Sequence, residues 1–560
     1  MVNTRSKDFK QFGLVLLGIL LVNLISSFFF ARVDFTKDKR YTLSDISKNL
    51  VSNLDDNLHV TVYLEGEFPA GFKRLRNSTK DLLVDLKAYS GGKLQFDFIN
   101  PSAGDSKTQE SSYQQLMEKG IEPTNLSVKT EEGLSQKTIF PAALITYKGR
   151  QFPVKLLQSR AGASPEEVLN NSVQNLEYAF VSAIKKVTSG GKARIGFTEG
   201  NGELSDLQLN DAMKSLEDGY EVGRVDLNVI PLAGMDKLKL LIIPKPDKPF
   251  TEAEKFKIDY FVMNGGRVFW AIDQVNAELD SLRGAGEQLA FPKKLNLDDI
   301  LFKYGARINY NLVADMNCVQ IPVNVGKVAG QGQIQLVPWL FYPIFIPTSK
   351  LPVVKNLDGI RSEFASTIDL IDVKGIRKDV ILSTSPFNRE IEAPTLLSLQ
   401  MVEQEPDPAT FQSAPKPVAV LLEGSFPSNF KNRPIPEGIE QNVKIPEKGK
   451  QTKMIIMADG DILRNQISST DGSPFPLGYD RYTQQQYGNK NFLLNVADYL
   501  TDDSGIIELR NKEVKMRLLD RARIKSEKTF WQVINLVVPL IMLIVFGIFQ
   551  HYYRRRKYAR

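Results

Sequence analysis

The sequence predicts an α/β fold carried on a two-helix membrane anchor, and three observations predict it. Two apolar segments without a charge stand at the ends of the 560-residue chain, at 12–31 and 531–549. At about 1.5 Å per residue, each is long enough to cross a hydrocarbon core of about 30 Å. Between them, short apolar strand-like runs alternate with helical periodicity, the pattern of a parallel sheet covered on both faces. The roughly 490 intervening residues exceed what one hydrophobic core holds, so two or more α/β domains are expected.

Residues 1–35 comprise a basic start (Arg5, Lys7, Lys10) and the first span. Its apolar stretch is longer than the about 7–15 residues of a signal-peptide core, and no small-residue cleavage site follows, so the span is expected to be retained. Residues 36–190 read as a first α/β domain. Ser44 caps a helix with Ile46, Leu50 and Leu54 on one face, and a strand follows at 59–64. A helix at 72–89 stops at Gly91-Gly92, and strands are expected at 94–99, 126–129, 142–147 and 151–156. Ser164-Pro165-Glu166-Glu167 is a capping box with proline at the first helical position, opening the helix that closes this domain.

Residues 191–505 read as a second domain with a parallel sheet: strands at 193–198, 220–227, 238–243 and 267–272, helices at 204–216 and 251–263, and later strands at 379–382 and 453–457. An irregular insertion is expected at 276–350, where the Gly-, Pro- and aromatic-rich stretch 326–347 suggests a loop or hairpin. A juxtamembrane stalk (506–529), the second span (530–553) and a basic tail (554–560) complete the chain. The stretch 60–73 repeats at 418–431 with nine of fourteen positions identical, either a duplicated strand-turn unit or convergence on one turn chemistry.

Arg554, Arg555, Arg556, Lys557 and Arg560 form a short basic tail that the positive-inside bias holds in the cytoplasm, placing both termini there and the large middle outside. Basic residues also flank the outer ends of both spans, but long translocated domains cross largely regardless of charge. The polar members Asn23, Ser26 and Ser27 of the first span share one helical face, as do Gln532 and Asn535 of the second; such stripes suit contact with a partner inside lipid, and Gln532 and Asn535 equally suit a hydrated membrane surface.

Composition excludes several chemistries. Cys318 is the sole cysteine, so no internal disulfide forms, and histidine is limited to His59 and His551, which leaves little from which to build a Ser-His-Asp triad or a zinc site. No Gly-Lys pair carries the upstream glycine and following hydroxyl of a nucleotide-binding loop, so any ATPase is another chain. The net charge of +6 comes largely from juxtamembrane segments and points to anionic lipid, not to nucleic acid.

Open parallel sheets collect ligands outside the carboxyl ends of their strands. Those ends carry Glu199, Asn201 and Glu203, then Pro244-Lys245-Pro246, Asp273, Ser383 and Ser385, and Asp459-Gly460-Asp461. Together Glu199, Glu203, Asp273, Asp459 and Asp461 make an acidic crevice suited to a cation or sugar hydroxyls, with no dedicated metal or cofactor signature. The competing reading is that polar residues follow buried strands because the chain must turn in water.

Several stretches resemble a known family: Arg40-Tyr41-Thr42-Leu43-Ser44, Gly196-Phe197-Thr198-Glu199-Gly200-Asn201-Gly202-Glu203, the run at 295–305, Leu421-Leu422-Glu423-Gly424-Ser425-Phe426-Pro427-Ser428, Gly488-Asn489-Lys490-Asn491-Phe492, the runs at 510–512 and 517–520, and the tail 552–558. They resemble the GldG family, auxiliary subunits of the gliding-motility-associated ABC transporter of Bacteroidetes, along nearly the whole chain. The resemblance implies a bacterial inner-membrane subunit with a periplasmic domain that works with a multi-span permease and a cytoplasmic ATPase. It also implies a flavodoxin-like, amidotransferase-like second sheet of the kind shared with intraflagellar-transport proteins. The cysteine nucleophile and histidine base of amidotransferases are absent from the corresponding turns, so the expected role is non-enzymatic. Two rival readings are an extracytoplasmic glycan- or metal-dependent enzyme built on the acidic crevice and an envelope scaffold. The topology makes a direct prediction: protease added to intact spheroplasts cleaves the middle of the chain and spares the ends, the reverse pattern overturning it.

Overall fold

The computed structural model describes residues 12–23, 42–130, 133–158, 164–328, 331–403, 406–440, 443, 445–511 and 521–558. It falls into two compact units, Met1–Lys512 and Glu513–Arg560.

The first unit opens with the apolar helix α1 (Phe12–Asn23). Helix α2 (Asp45–Ser52) starts where Ser44 Oγ accepts from the Ser47 amide, as the capping pattern requires. There follow β1 (Leu58–Val62), α3 (Ala70–Tyr89), β2 (Leu94–Phe98), α4 (Ser106–Glu118), β3 (Thr124–Thr130), β4 (Gly133–Ile139), β5 (Ala142–Tyr147) and β6 (Arg150–Lys155). Four of these strands form a sheet in the order β2-β1-β5-β6, parallel only between β1 and β2, while β3 and β4 form a separate hairpin. Helix α5 (Pro165–Thr188) begins at the expected capping box, and with α3 it buries Leu75, Leu83, Phe180 and Ile184 against Val60, Val62 and Ile145. Helix α4 escapes the periodic pattern because only Leu116 along it is buried; its start is set by Asp105, which accepts from Thr108 N.

The larger sheet is built from β7 (Ala193–Glu199), α6 (Asn210–Glu217), β8 (Tyr220–Asp226), α7 (Leu232–Met235), β9 (Leu240–Pro244), α8 (Glu252–Met263) and β10 (Arg267–Ala271). The chain then leaves it through β11 (Val275–Asn276), α9 (Leu279–Ala285), β12 (Glu287–Pro292), α10 (Asp298–Tyr304), β13 (Ala306–Ile308) and β14 (Asn311–Asp315). The hairpin β15 (Cys318–Val328) and β16 (Gln331–Phe345), then β17 (Ile360–Arg361) and β18 (Ile368–Leu370), continue the excursion. After β19 (Ile376–Ser383) a second departure carries β20 (Asn388–Glu392) and β21 (Thr395–Ser398), and the sheet is completed by β22 (Pro417–Pro427), β23 (Lys448–Met457) and the covering helix α11 (Asn489–Thr501).

Strand order is β19-β22-β23-β10-β9-β7-β8. The expectation of a wholly parallel sheet is corrected here: β22 runs antiparallel to both β19 and β23. The reason lies in the connection 428–447, which begins and ends at one edge of the sheet because Pro427 stands opposite Lys448. Among the described residues of this connection no crossover helix carries the chain to the other edge, and a parallel neighbour needs one. Phe430 packs edge-on against Phe256 of α8 at 5.2 Å, while Ser428 Oγ and Asn429 N donate to the buried Asp259 at 2.6 and 3.0 Å, pinning the connection where it turns. The strand-helix alternation of 193–272 resolves into parallel neighbours as expected, with β7 paired to β8 and β9, and β9 to β10.

Both faces of this sheet are dry, which is why its strands read as continuous apolar runs. Leu240, Ile242, Phe269, Leu421 and Ile455 point to the layer of α6 and α11, meeting Leu216, Phe492 and Val496. The alternate residues Leu241, Ile243, Trp270, Val420 and Ile456 point to α8 and α10, meeting Ile258, Val262, Leu301 and Tyr304. The repeated stretch resolves into two different uses of one signal. Gly66 and Gly424 both take positive φ (134° and 153°), yet β1 leads into helix α3 while β22 leads into the irregular 428–447. At Gly424 a Cβ would lie 2.4 Å from the Gly375 carbonyl oxygen, so the backbone approach also requires glycine.

Asp498 of α11 ties α5 to this sheet. Lys186 Nζ lies 2.8 Å from its carboxylate, Tyr178 Oη donates at 2.8 Å and Tyr220 Oη at 2.5 Å. Burial opposes ionisation of Asp498, but Lys186 and the two tyrosine hydroxyls outweigh it and hold the carboxyl below its ordinary 3.8.

In the second unit, α12 (Arg521–Tyr558) is one continuous helix with Pro539 inside it. Its segment Glu527–Arg556 is long and apolar enough to cross a membrane. Among the described residues α1 is shorter than a span, so one helix of spanning length is present where the sequence suggested two.

Because the folded-state value of Asp498 is depressed, its stabilisation is present above 3.8 and is lost as the pH falls below that value. Asp498→Asn is expected to lower stability by about 1–3 kcal/mol at pH 7 and to flatten the acid limb of a urea-unfolding profile, which checks it.

Candidate functional site

Strands β7, β8, β9, β10, β23 and β19 all run in one direction, so their carboxyl ends lie on one edge of the sheet. At the middle of that edge, an all-buried strand β9 ends in Pro244 and delivers Lys245, whose φ of 53° is rare for a residue with a side chain. This backbone geometry accompanies a side chain turned into the protein. Lys245 Nζ donates to both carboxylate oxygens of Asp461 at 2.7 Å and to Glu278 Oε1 at 2.5 Å, and lies 3.2 Å from Asp273 Oδ2. Gly460 is required beside it: a Cβ there would lie 2.4 Å from Lys245 Cβ.

Around this ammonium the other groups are matched in turn. Asp273 Oδ1 accepts from Gly460 N at 2.6 Å, and Asp459 Oδ1 accepts from Asp461 N at 2.7 Å. The second oxygen of Asp459 accepts from Glu363 N at 2.9 Å and from the Ser362 hydroxyl. Arg464 reaches Asp461 at 2.8 Å, Glu363 at 2.6 Å and Glu278 at 3.2 Å, and Arg361 donates to Glu363 at 2.5 Å. Burial works against the charge on Lys245, but Asp273 and Asp461 outweigh it and hold the ammonium well above its ordinary value. Burial likewise opposes ionisation of Glu363, and Arg361 and Arg464 overcome it, keeping that carboxyl far below the ordinary range. At Asp459 burial and the neighbouring Asp461 and Asp273 act together and push the carboxyl up.

Asp273, Glu278 and Asp461 bring one oxygen each to within 4.8 Å, a spacing that suits a metal ion. The ammonium of Lys245 already bonds the same three carboxylates, so the donor set is satisfied by a side chain of the protein and does not fit a metal. Outside this buried layer opens a polar cleft of about 260 Å³. Tyr342, Arg361 and Arg464 form its floor; at its rim Arg283 and Arg481 both donate to the Tyr482 hydroxyl, at 3.1 and 2.6 Å. A planar guanidinium fork beside an aromatic ring suits hydrogen bonding to a polar or anionic group of a ligand. Cys318, at the start of β15, offers little thiolate for nucleophilic chemistry, since burial and Asp315 push its thiol up to about 12.

The structure gathers some of the sequence-predicted residues and separates others. Asp273, Asp459 and Asp461 meet in the Lys245 cluster. Glu199, Asn201 and Glu203 occupy the neighbouring turn after β7, where Glu199 pairs with Arg224 at 3.2 Å and Glu203 accepts from Asn201 N at 2.7 Å. Ser383 stands opposite Pro417 at the far side of β22, and Ser385 is bound to Asp315 through its amide and hydroxyl at 2.8 and 2.6 Å, in a separate environment. Asn23 ends α1, Ser26 and Ser27 lie outside the described residues, and Gln532 and Asn535 are exposed on α12. Sequence reasoning missed Glu278, Arg361 and Glu363, which arrive from the excursion and carry no local signal. Lys245 between two prolines after an apolar strand, and Arg464 three residues beyond Asp461, were legible but unassigned.

With this geometry in place, the comparisons identify the family. The chain belongs to the family described as ABC-type uncharacterized transport system, whose model matches residues 192–496, more than half of the chain. A domain of unknown function, DUF7088, matches residues 37–146. An uncharacterized protein of Borreliella burgdorferi is 22% identical over 557 residues, 97% of each chain. Among solved structures, the mmIFT52 N-terminal domain aligns at 13% identity and a TM-score of 0.32, covering 56% of this chain and 99% of that one. A putative ThuA-like protein from Bacteroides uniformis aligns at 13% identity and 0.26, over 56% and 93%.

Lys245→Met leaves three clustered carboxylates without their shared cation and is expected to cost about 3–5 kcal/mol at pH 8. Burial pushes Asp461 up to about 7 even in the presence of Lys245, against 3.8 unfolded. The folded variant therefore takes up a proton that the unfolded chain does not, and its deficit shrinks as the pH falls from 8 to 5. Urea midpoints at the two pH values check this.

Proposed function

We propose that this chain is a non-enzymatic auxiliary membrane subunit of an ABC transporter complex, with an extracytoplasmic domain that binds a substrate or a partner protein. The observation that carries the reading is membership of the transport family over the segment that builds the seven-stranded sheet and its charged edge. The arrangement at that edge supports a binding role. Its acids are engaged by Lys245 and Arg464 and leave no free acid-base pair, whereas the cleft above them presents guanidinium groups and tyrosines to a ligand. Asp273, Asp459 and Asp461, with Glu199, Asn201 and Glu203 in the neighbouring turn, then serve mainly to shape the edge on which the ligand rests, and Ser383 and Ser385 stand apart from it.

Helix α12 supplies the anchor, and its exposed Gln532 and Asn535 contact a multi-span permease within the bilayer; Asn23, Ser26 and Ser27 of the N-terminal apolar segment do the same from a second span. ATP hydrolysis falls to a cytoplasmic ATPase that this chain reaches only through the permease, and the basic tail rests on anionic lipid of the inner membrane. The GldG-like stretches extend the reading to a role in gliding motility. Purification from native membranes in mild detergent is expected to bring down a permease and an ATPase, and Gln532→Leu with Asn535→Leu to reduce their recovery several-fold. Isolation of the wild-type chain free of both would overturn the proposal.

A further inference from the structure

Beside the turn after β7, Glu199 is paired with Arg224, but Glu203 and Glu254 each keep one buried oxygen without a hydrogen-bond donor. Asn201 is 4% exposed and held rigidly: its carbonyl accepts from the amides of Asp247 and Lys248 at 2.9 and 2.8 Å. Its backbone amide donates to Glu203 Oε2 at 2.7 Å, and its side-chain Nδ2 approaches Glu254 Oε2 at 3.3 Å and the Pro249 carbonyl at 3.4 Å. These acceptors fix the amide orientation, because the reverse would set Oδ1 against two oxygens. Asn201 thus bridges two carboxylates, and an oxygen on each member of the trio has no hydrogen-bond partner although buried: Asn201 Oδ1, Glu203 Oε1 and Glu254 Oε1.

Glu254 is 1% exposed, and its other oxygen is already spent on capping α8 through Thr251 N and Oγ1 at 2.6 and 2.9 Å. Two cations near this turn bond to other groups. Arg224 donates to Glu199 and to the Leu204 carbonyl, and its register on β8 turns it to the sheet face opposite α8. Lys257, one turn along α8, donates to the carbonyls of Leu227 and Asn228 at 2.6 and 3.2 Å. Buried carboxylate oxygens left unmatched are costly, and an all-oxygen donor set is the preference of hard cations.

We propose that Asn201 Oδ1, Glu203 Oε1 and Glu254 Oε1 form a site for a hard divalent cation, of the Ca²⁺ or Mg²⁺ class, that clamps the turn after β7 to the start of α8. The site is separate from the ammonium-filled cluster and stands independently of the transporter role. The full-length chain in detergent, stripped with chelator, is titrated separately with Ca²⁺, Mg²⁺ and Mn²⁺ while thermal unfolding is followed, and Mn²⁺ binding is read directly by electron paramagnetic resonance. At least one ion is expected to give a saturable rise in Tm at or below millimolar concentration. Glu203→Gln is expected to weaken binding about tenfold or more with its metal-free Tm near that of the wild type, while Asp461→Asn keeps the wild-type response. Glu254→Gln, which retains the capping geometry, is the second variant. Absence of saturable binding of all three ions to the wild type, or wild-type binding by both glutamine variants, would sink the proposal.

Discussion

The buried ammonium of Lys245 is the interaction on which the edge of the large sheet depends. Three strands deliver their first polar residues to one place there, and a carboxylate layer of that density cannot remain ionised away from water without a cation among it. Lys245 meets Asp273 from the end of β10, Asp461 from beyond β23 and Glu278 from the excursion. Arg464 and Arg361 extend the same matching outward to Glu363 and Asp480. The unusual backbone of Lys245 and the glycine at 460 follow from it, since the side chain must enter the layer while the main chain passes close by.

This arrangement separates the roles of charge in the molecule. In the central cluster, positive and negative groups saturate one another and make a rigid floor; at the rim of the cleft, Arg283 and Arg481 instead gather on the Tyr482 hydroxyl. A similar division appears at the opposite edge, where Asp498 collects Lys186, Tyr178 and Tyr220 and so joins α5 to the sheet. Arg510 stacks on Tyr178 at 5.3 Å and donates to Asn495, bringing the last residues of the first unit to the same junction.

Local signals in the sequence were reliable where chemistry acts over a few residues. The capping box at Ser164, the cap at Ser44 and the double-sided apolar runs of β7, β9 and β10 are present as their residues require. Helix α4 was hidden because its sequence is polar and only Leu116 is buried; β22 was legible as a strand but not as an antiparallel one, because direction is set by where the connection 428–447 is pinned. The acidic residues at the strand ends were legible as well, yet their composition gave no hint that Lys245 neutralises one group of them and leaves another unmatched.

The sequence by itself determined the capped starts of α2 and α5, the strands buried on both faces and the apolar C-terminal helix, since each of these depends on residues close together along the chain; the helix expected from 204 begins only at Asn210. Only the tertiary structure decided strand order, the direction of β22 and which charges meet. Pairings such as Lys245 with Asp461, or Arg464 with Glu363, join residues 216 and 101 positions apart. Their geometry is created by the packing of the sheet, and no periodicity along the chain records it.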